Sequence, residues 1–298
     1  MAFVCADFGS TFTKIAVIET ATGALLATAS SPTTMSTDVL DGFDAALSMV
    51  ASSVPGAETA QVLACSSAGG GLRLAVVGYE RAITAEAGYR VGLSAGARVI
   101  HVASGCLDAE SVSALTSDRP DVVLLAGGTD GGNSEVLIEN ARILARSRLA
   151  VPVVVAGNVG VRDQVVRILR RATISTYATS NVLPRIGVLD PRPARDTIRE
   201  VFIDHVIGGK HLSTRTDLSS MVQAATPDAV LAGVELLADG TAELPGVGDV
   251  VVVDVGGATT DVYSVVTPDA EQASRDREAV STLWISILRT ESISGMLL

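Results

Sequence analysis

The fold is indicated most clearly by the segment Val250-Val251-Val252-Val253-Asp254-Val255-Gly256-Gly257-Ala258-Thr259-Thr260-Asp261. Its four leading β-branched residues predict a buried strand, because such side chains pack well in a sheet. Gly256 and Gly257 predict a tight turn, after which Thr259 and Thr260 begin a returning strand. The segment therefore predicts a β-hairpin with the acid Asp254 near the end of its first strand.

The N-terminus repeats this design. There the apolar run Phe3-Val4-Cys5-Ala6 precedes Asp7, and the polar residues after it are Gly9, Ser10, Thr11, Thr13 and Lys14. In both copies a glycine stands two residues after the acid and a threonine stands six residues after it. The acids Asp7 and Asp254 are 247 positions apart.

Hairpins of this kind suit phosphate and magnesium. A turn without side chains lets backbone N–H groups approach phosphate oxygens, and serine and threonine hydroxyls add further donors. A carboxylate at a strand end can hold Mg²⁺ through water, because Mg²⁺ gives up its hydration reluctantly. Either hairpin alone is equally well explained as a polar turn. Two copies favour a pair of hairpins that clamp the phosphates of one nucleotide.

The pair resembles the first and second phosphate loops of the actin, Hsp70 and sugar-kinase superfamily. Lys14 follows Asp7 at the spacing of the phosphate-contacting lysine in actin's first loop, although a solvated lysine at a strand edge is also ordinary. The resemblance implies that Asp7 and Asp254 are catalytic, holding Mg²⁺ through water and positioning the attacking water. It implies that the phosphates are contacted by Gly9, Ser10, Thr11, Thr13, Lys14, Gly256, Gly257, Thr259 and Thr260.

The composition favours a cytoplasmic α/β protein that binds neither nucleic acid nor membrane. Of the 298 residues 48% are hydrophobic but only 3% aromatic, which suits a core of aliphatic side chains between parallel strands and helices. The net charge of −11 opposes docking on nucleic acid or anionic lipid. No apolar run approaches the roughly 20 residues of a membrane span. Cys5, Cys65 and Cys106 are expected to be buried thiols of a reducing cytosol.

The order of predicted elements suggests four parts. Strands within residues 2–31, a helix at 39–53 and a strand at 61–66 form a first actin-like subdomain, residues 1–71. Alternating strands and helices predict an inserted parallel βα domain at 72–183. Helices at 191–208, 212–223 and 227–238 form a helical return of the first subdomain, residues 184–246. Strands at 250–255 and 260–266 begin a second actin-like subdomain, residues 247–298.

Two glycine-rich segments have two interpretations each. Ser67 to Gly71 could cradle an anion, but it lacks the strand–GxGxxG–helix layout, which favours a flexible connection. The loop from Gly127 to Gly132 joins a predicted strand to a helix, where open α/β sheets bind ligands, so Asp130 is a candidate polar contact. A tight turn with a helix cap explains this second loop slightly better.

Further segments carry a resemblance at the level of one family. They are Cys65-Ser66-Ser67-Ala68-Gly69-Gly70-Gly71-Leu72-Arg73, Leu124-Leu125-Ala126-Gly127-Gly128-Thr129-Asp130-Gly131-Gly132, Ala156-Gly157-Asn158 and Asn181-Val182-Leu183-Pro184-Arg185-Ile186-Gly187-Val188-Leu189. Together with the two hairpins they resemble the glutamate mutase accessory proteins of the GlmL or MutL type. The resemblance covers roughly residues 2–266.

This family resemblance implies an actin-like (ribonuclease H-like) ATPase with an inserted domain. It implies ATP and Mg²⁺ as cofactors, and as partners the subunits of an adenosylcobalamin-dependent mutase, such as glutamate (methylaspartate) mutase or a related aminomutase. The function implied is that of an ATP-dependent reactivating chaperone that releases damaged cobalamin. Because the family's chains run on beyond this length, the C-terminal part of the second subdomain is expected to be missing here.

Two other functions remain open. A small-molecule kinase of the same superfamily needs a base near the γ-phosphate, and the sequence shows no clear candidate for one. A binding or scaffold protein that does not hydrolyse ATP would result if the short C-terminus leaves the nucleotide site degenerate.

Overall fold

The computed structural model describes residues 1–147, 149–207, 212–215, 217–257, 259–266 and the strand at 284–291. The strands are β1 (Ala2–Phe8), β2 (Phe12–Glu19), β3 (Leu25–Pro32), β4 (Gln61–Ser66), β5 (Arg73–Gly78), β6 (Arg98–Ser104), β7 (Val122–Leu125), β8 (Val153–Val155), β9 (Thr176–Ala178), β10 (Val222–Ala225), β11 (Val250–Val255), β12 (Thr259–Val266) and β13 (Trp284–Glu291). The helices are α1 (Val39–Ala51), α2 (Glu86–Ser94), α3 (Ala109–Ser117), α4 (Glu135–Arg146), α5 (Arg162–Arg171), α6 (Arg192–Val201), α7 (Asp217–Met221) and α8 (Thr226–Asp239). Short π-helical segments, Arg81–Ala85 and Phe202–Ile207, precede α2 and follow α6. The chain thus has the α/β architecture that its sequence predicts.

The first sheet has the order β10-β4-β1-β2-β3. Strands β1, β2 and β3 form an antiparallel meander, whereas β4 runs parallel to β1 and β10 parallel to β4. Helix α1 covers one face of this sheet, with the rings of Phe8 and Phe43 5.8 Å apart. Asp38 caps α1, since its carboxylate accepts a 2.9 Å hydrogen bond from the backbone N–H of Leu40.

Strand β10 replaces part of a predicted helix. The sequence predicts a helix at 212–223, but the helix α7 spans only Asp217–Met221, and Val222–Ala225 pairs with β4. That prediction is wrong because Val222 and Ala225 are almost fully buried beside β4, and tertiary pairing overrides the helix preference of alanine. The correction gives the first sheet its fifth strand.

The parallel sheet has the order β6-β5-β7-β8-β9, and each adjacent pair of its strands is parallel. Its central strand β7 is fully buried, as expected of a strand with helices on both faces. Strands and helices alternate through this part of the chain, as the sequence predicts. In chain order its strands are arranged 2-1-3-4-5, an order of doubly wound sheets.

The third sheet is an antiparallel meander of β11, β12 and β13. The prediction that β11 is buried is wrong, because alternate side chains point away from α8, and Val251 and Val253 are 59% and 57% exposed. Leu231 and Val234 of α8 pack against Tyr263 and Val265 on one of its faces. Because α8 follows β10 directly, it connects the first sheet to the third. Residues 267–283 and 292–298 of the predicted second subdomain lie outside the described residues. Within the ranges described, no helix is both long and apolar enough to cross a membrane.

The prediction of buried cysteines is wrong for two of the three. Cys5 and Cys106 are exposed, and Cys65 is partly buried. The reason for Cys5 is strand alternation: Val4 and Ala6 face α1, so the side chain between them faces the opposite way.

Candidate functional site

The two predicted hairpins line one cleft of about 1040 Å³. The first hairpin (Asp7–Lys14) and the second hairpin (Asp254–Asp261) each contribute their acid to its wall. The other cleft-lining residues of the hairpins are Gly9, Ser10, Thr11, Phe12, Lys14, Val255, Gly256, Gly257, Thr259 and Asp261. The volume is at the upper end of the range of small-molecule sites. Two segments that are far apart in the chain therefore meet at one place.

The two hairpins have the same backbone design. The N–H of Gly9 donates to the carbonyl of Phe12 at 3.2 Å, and the N–H of Gly256 donates to the carbonyl of Thr259 at 2.9 Å. The strand register places Lys14 opposite Asp7 and Asp261 opposite Asp254. The hairpins therefore carry opposite charges at one equivalent position, which is a lysine in the first and an aspartate in the second.

The hairpins also touch each other. A Cβ on Gly257 would clash with Oγ1 of Thr11 and lie 3.1 Å from the Cβ of Thr11. By contrast, the nearest atom to a Cβ on Gly256 is the carbonyl oxygen of Thr259, at 3.2 Å. The glycine at 257 is thus required by the close approach of the first hairpin.

Asp7 is held by three neighbours. Lys14 Nζ lies 3.2 Å from its Oδ2, while Oδ1 accepts a 2.8 Å hydrogen bond from Thr226 Oγ1. The Cys65 thiol donates to Oδ1 at 3.6 Å. Burial, with the negative charge of Asp7 as the next contribution, raises the pKa of Cys65 to about 12. The thiol therefore stays protonated at neutral pH and acts as a donor, while the carboxylate remains partly open to the cleft.

The second hairpin brings two acids to the cleft. Asp254 is half-buried and Asp261, directly opposite, is 5% exposed. Thr259 Oγ1 donates to Asp261 Oδ2 at 3.3 Å. Because the two acids are cross-strand neighbours, their side chains lie on the same face of the hairpin. Asp261 was not among the predicted site residues, although it follows Asp254 by seven residues, as Lys14 follows Asp7.

Two of the predicted phosphate contacts do not reach the cleft. Thr13 is fully buried, and its hydroxyl is 3.1 Å from the hydroxyl of Thr33. Thr260 pairs with Val255 and is absent from the cleft wall. Because side chains alternate along a strand, a residue beside the cleft-facing Lys14 or Asp261 faces the opposite side. The threonine that stands six residues after each acid therefore lies on the face of its strand that points away from the cleft.

The structure adds cleft residues outside the two hairpins that were not among the predicted site residues. Thr226 and Pro227, at the start of α8, line the cleft beside Asp7. The glycine-rich connection, interpreted above as a flexible link, contributes Ser67, Gly70 and Gly71. Its two cleft-lining glycines have positive φ angles of 90° and 67°, so the chain turns there in a conformation that favours glycine. The run of glycines in this loop indicated a possible ligand site in the sequence, whereas no sequence pattern pointed to Thr226.

The part of the chain that contains the parallel sheet forms another wall of the same cleft. Its cleft-lining residues include Tyr89 and Leu93 of α2 and Arg98 and Val99 of β6. Gly96 lies against α8, since a Cβ there would be 3.1 Å from the Cβ of Pro227. The parallel-sheet region is thus packed against the helix whose first residue holds Asp7.

The loop from Gly127 to Gly132 is a structural turn. Asp130 Oδ1 accepts hydrogen bonds from the N–H of Val159 at 3.1 Å and from Asn181 Nδ2 at 2.9 Å. Asn158 Nδ2 donates to the carbonyl of Gly132 at 3.1 Å. These contacts tie the loops after β7, β8 and β9 together, and the loop does not line the cleft.

Comparison with known proteins agrees with the motifs. The model of the MutL protein family matches residues 3–285, a range that contains both hairpins. Protein MutL of Clostridium tetanomorphum is 42% identical over 266 residues, which cover 89% of this chain and 58% of that relative. The chain thus spans a little under three-fifths of that curated relative's length. On this match, the chain belongs to the MutL protein family.

Proposed function

We propose that this chain holds Mg·ATP between its two hairpins and uses it to reactivate an adenosylcobalamin-dependent glutamate mutase. One observation carries the proposal: two hairpins of equal backbone design and acid position face one cleft and contact each other. The MutL family name suggests a protein associated with glutamate mutase. The chain would be an ATPase in which ATP hydrolysis drives a conformational change, since the radical chemistry belongs to the cobalamin enzyme.

The strand order supports an actin-like assignment. In chain order the first sheet is arranged 3-2-1-4-5, with an antiparallel meander followed by two parallel strands. The first hairpin joins the first two strands of that meander, and the second hairpin joins the first two strands of the third sheet. This repeated arrangement around a shared cleft is the arrangement expected of two facing ATPase subdomains.

The donor set of the cleft fits a magnesium nucleotide. Within the described ranges no group of three or more His, Cys, Asp and Glu side chains could hold a metal ion by itself. Asp7, Asp254 and Asp261 instead offer carboxylates that would bind hydrated Mg²⁺, which usually keeps several waters and takes phosphate oxygens as ligands. When bound, Mg·ATP supplies the cleavable phosphoanhydride.

The residues of the chain would act by position and charge. Lys14 would neutralise phosphate charge, while the backbone N–H groups and hydroxyls of Ser10 and Thr11 would donate to phosphate oxygens. Thr226 would keep Asp7 in one orientation through its 2.8 Å hydrogen bond. Hydrolysis sites of this kind depend on such placement more than on covalent chemistry by the protein.

The cleft also explains how the nucleotide would act at a distance. Because α2 and β6 form part of its wall, a ligand that draws the hairpins together changes the surroundings of the parallel-sheet region. That region would then transmit the change to the mutase. A nucleotide can drive such a change only if it binds one of the two arrangements more tightly.

The test is a reactivation assay with purified glutamate mutase loaded with inactive cobalamin. We expect this chain with Mg·ATP to release the damaged cofactor, and we expect Asp7→Asn and Asp254→Asn each to abolish release. Asp196→Asn is the matched control, because that acid is 69% exposed and lies on α6 outside the cleft wall. Equal release without ATP, or by the two hairpin variants, would overturn the proposal.

Asp261 gives the kinase alternative the carboxylate that the sequence had not indicated. A buried acid at the cleft wall could take a proton from an acceptor hydroxyl. ATP turnover measured with and without a panel of polyols and amino acids separates the two functions. A kinase requires an acceptor for turnover, whereas the reactivating ATPase turns over ATP when its mutase is present.

A further inference from the structure

Three of the sequence motifs that resemble the MutL family lie outside the cleft and meet at the carboxyl edge of the parallel sheet. They form the loops after β7, β8 and β9. The N–H of Asp130 donates to the carbonyl of Pro184 at 3.0 Å, and its carboxylate accepts a 3.1 Å hydrogen bond from the N–H of Val159. Asn181, only 2% exposed, donates through Nδ2 to the carbonyl of Gly128 at 2.9 Å. The loop after β9 is therefore fixed by hydrogen bonds to the loops beside it.

The loop after β9 contains a tight turn, the isoleucine turn (Arg185–Val188), which exposes an apolar side chain. The N–H of Val188 donates to the carbonyl of Arg185 at 3.0 Å, and Gly187 has a φ of 76°, as a type II turn requires at its third residue. Ile186, at the tip, is 81% exposed, while Val188 and Val159 are 37% and 39% exposed. Single exposed apolar side chains are ordinary, but a group of them on a fixed backbone marks a binding surface. These three side chains form the apolar patch (Val159, Ile186 and Val188).

Three arginines stand around the apolar patch. Arg185 belongs to the isoleucine turn, Arg162 begins α5 and Arg192 begins α6. Within the part of the chain that the structure describes, none of the three forms an ion pair, although Asp163 and Asp190 are close to two of them in sequence. Free guanidinium groups at the rim of an apolar patch are typical of protein interfaces, where they bind carboxylates in pairs of hydrogen bonds. The patch therefore fits an acidic partner, although the chain as a whole carries a net charge of −11.

We propose that the apolar patch and its three arginines are the surface that docks the mutase, which meets them with an apolar pocket rimmed by carboxylates. The identity of this partner rests on the proposed function, whereas its chemistry follows from the patch. A nucleic acid would match the arginines, but it offers no pocket for Ile186 and is repelled by the acidic remainder of the chain. Because hydrogen bonds fix the isoleucine turn before binding, little conformational entropy is lost when Ile186 enters its pocket.

Helix α6 connects the isoleucine turn to the nucleotide cleft. It begins four residues after the turn, and its Arg195 pairs with Asp228 of α8 at 2.9 Å, with the two side chains 9% and 1% exposed. The first residue of α8, Thr226, donates the hydrogen bond that holds Asp7. A partner on the apolar patch is thereby joined to the first hairpin through a continuous series of packed groups, which is the kind of route that can carry coupling between two sites.

The test measures the affinity of this chain for purified glutamate mutase by biolayer interferometry, without nucleotide. Ile186→Thr keeps a β-branched side chain in the turn but makes it polar, and it should weaken binding about tenfold, as expected of a central apolar anchor. Arg185→Gln should weaken binding and reduce its dependence on salt. In hydrogen exchange, the amide of Ile186 should become about tenfold more protected in the complex. The matched control is Leu244→Thr, because Leu244 is also on a tight turn and is 69% exposed.

The control variant should bind as the parent chain does. The inference is overturned if Ile186→Thr binds as tightly as the parent, if Leu244→Thr weakens binding equally, or if a second copy of this chain protects the turn in the absence of the mutase. The absence of any complex overturns both this inference and the proposed function. Release of damaged cobalamin with Mg·ATP, measured on the same samples, separates the two: a mutase that binds through Ile186 but releases no cofactor contradicts the proposed function and leaves the docking surface in place.

Discussion

Replacing Gly257 with alanine tests whether the two hairpins meet as described. The new Cβ would clash with Thr11 Oγ1 and lie 3.1 Å from Thr11 Cβ, so rotation of the threonine side chain alone cannot relieve the overlap. The neighbouring substitution Gly256→Ala is the control, because its Cβ would meet only the carbonyl oxygen of Thr259, at 3.2 Å. Neither glycine has a positive φ, so both variants can keep the backbone conformation.

The size of the effect follows from the packing. Overfilling a close contact costs about 1–3 kcal/mol, and here the strain is relieved most easily by moving the hairpins apart. If both hairpins hold one ligand, binding draws them together and restores the strain, which lowers the affinity for the ligand. We therefore expect Gly257→Ala to weaken Mg·ATP binding about tenfold, which corresponds to about 1.4 kcal/mol, and Gly256→Ala to change it by less than about threefold.

Isothermal titration calorimetry with Mg·ATP measures this difference directly. Adding Thr11→Gly to Gly257→Ala removes the clashing atoms, so a double-mutant cycle should show a favourable coupling of about 1 kcal/mol between the two positions. Equal affinity of the two alanine variants, together with zero coupling, would refute the contact between the hairpins.

Three further predictions concern other groups around the cleft. Thr226→Val removes, at nearly constant volume, the hydroxyl that donates to Asp7 of the first hairpin. ATP turnover should fall about tenfold, while the free energy of unfolding measured in urea should change by less than about 1 kcal/mol. Unchanged turnover would show that this hydrogen bond does not position Asp7. Asp228→Asn removes the buried carboxylate that pairs with Arg195 and Arg199, although Arg195 keeps its ion pair with Glu235. The free energy of unfolding measured by urea titration should fall by about 3–5 kcal/mol, whereas the exposed Asp196→Asn should change it by less than about 1 kcal/mol. Equal losses would contradict the burial of the Asp228 ion pairs. Burial raises the pKa of Cys65 to about 12, so iodoacetamide at pH 8 should alkylate the exposed Cys106 and leave Cys65 unmodified. Peptide mass spectrometry measures the labelling, and preferential labelling of Cys65 would contradict the burial of its thiol beside Asp7.

The hairpins could be predicted because their signal is local and repeated. An acid after an apolar strand and a glycine two residues later occur twice, and the structure shows the same turn hydrogen bond in both. The alternating strands and helices of the parallel sheet were equally clear, since runs such as Val122–Leu125 are fully buried and uniformly apolar.

The parts that escaped prediction depend on contacts between distant residues. Strand β10 is short and alanine-rich, and only its pairing with β4 makes it a strand. Because that strand places the start of α8 beside Asp7, Thr226 can donate a hydrogen bond to the carboxylate of Asp7. The resemblance to the phosphate loops assigned Thr13 and Thr260 to the phosphates, although the alternation of side chains along the returning strand turns both away from the cleft.

Paramagnetic relaxation by Mn·ATP tests the central claim most directly, because one Mn²⁺ substituting for Mg²⁺ broadens amide resonances near it. The account predicts that the amide signals of Gly9 and Gly256 both broaden and that both effects saturate together at one Mn·ATP per chain. Broadening confined to one hairpin, or of neither at saturating Mn·ATP, would contradict a single nucleotide site shared by the two.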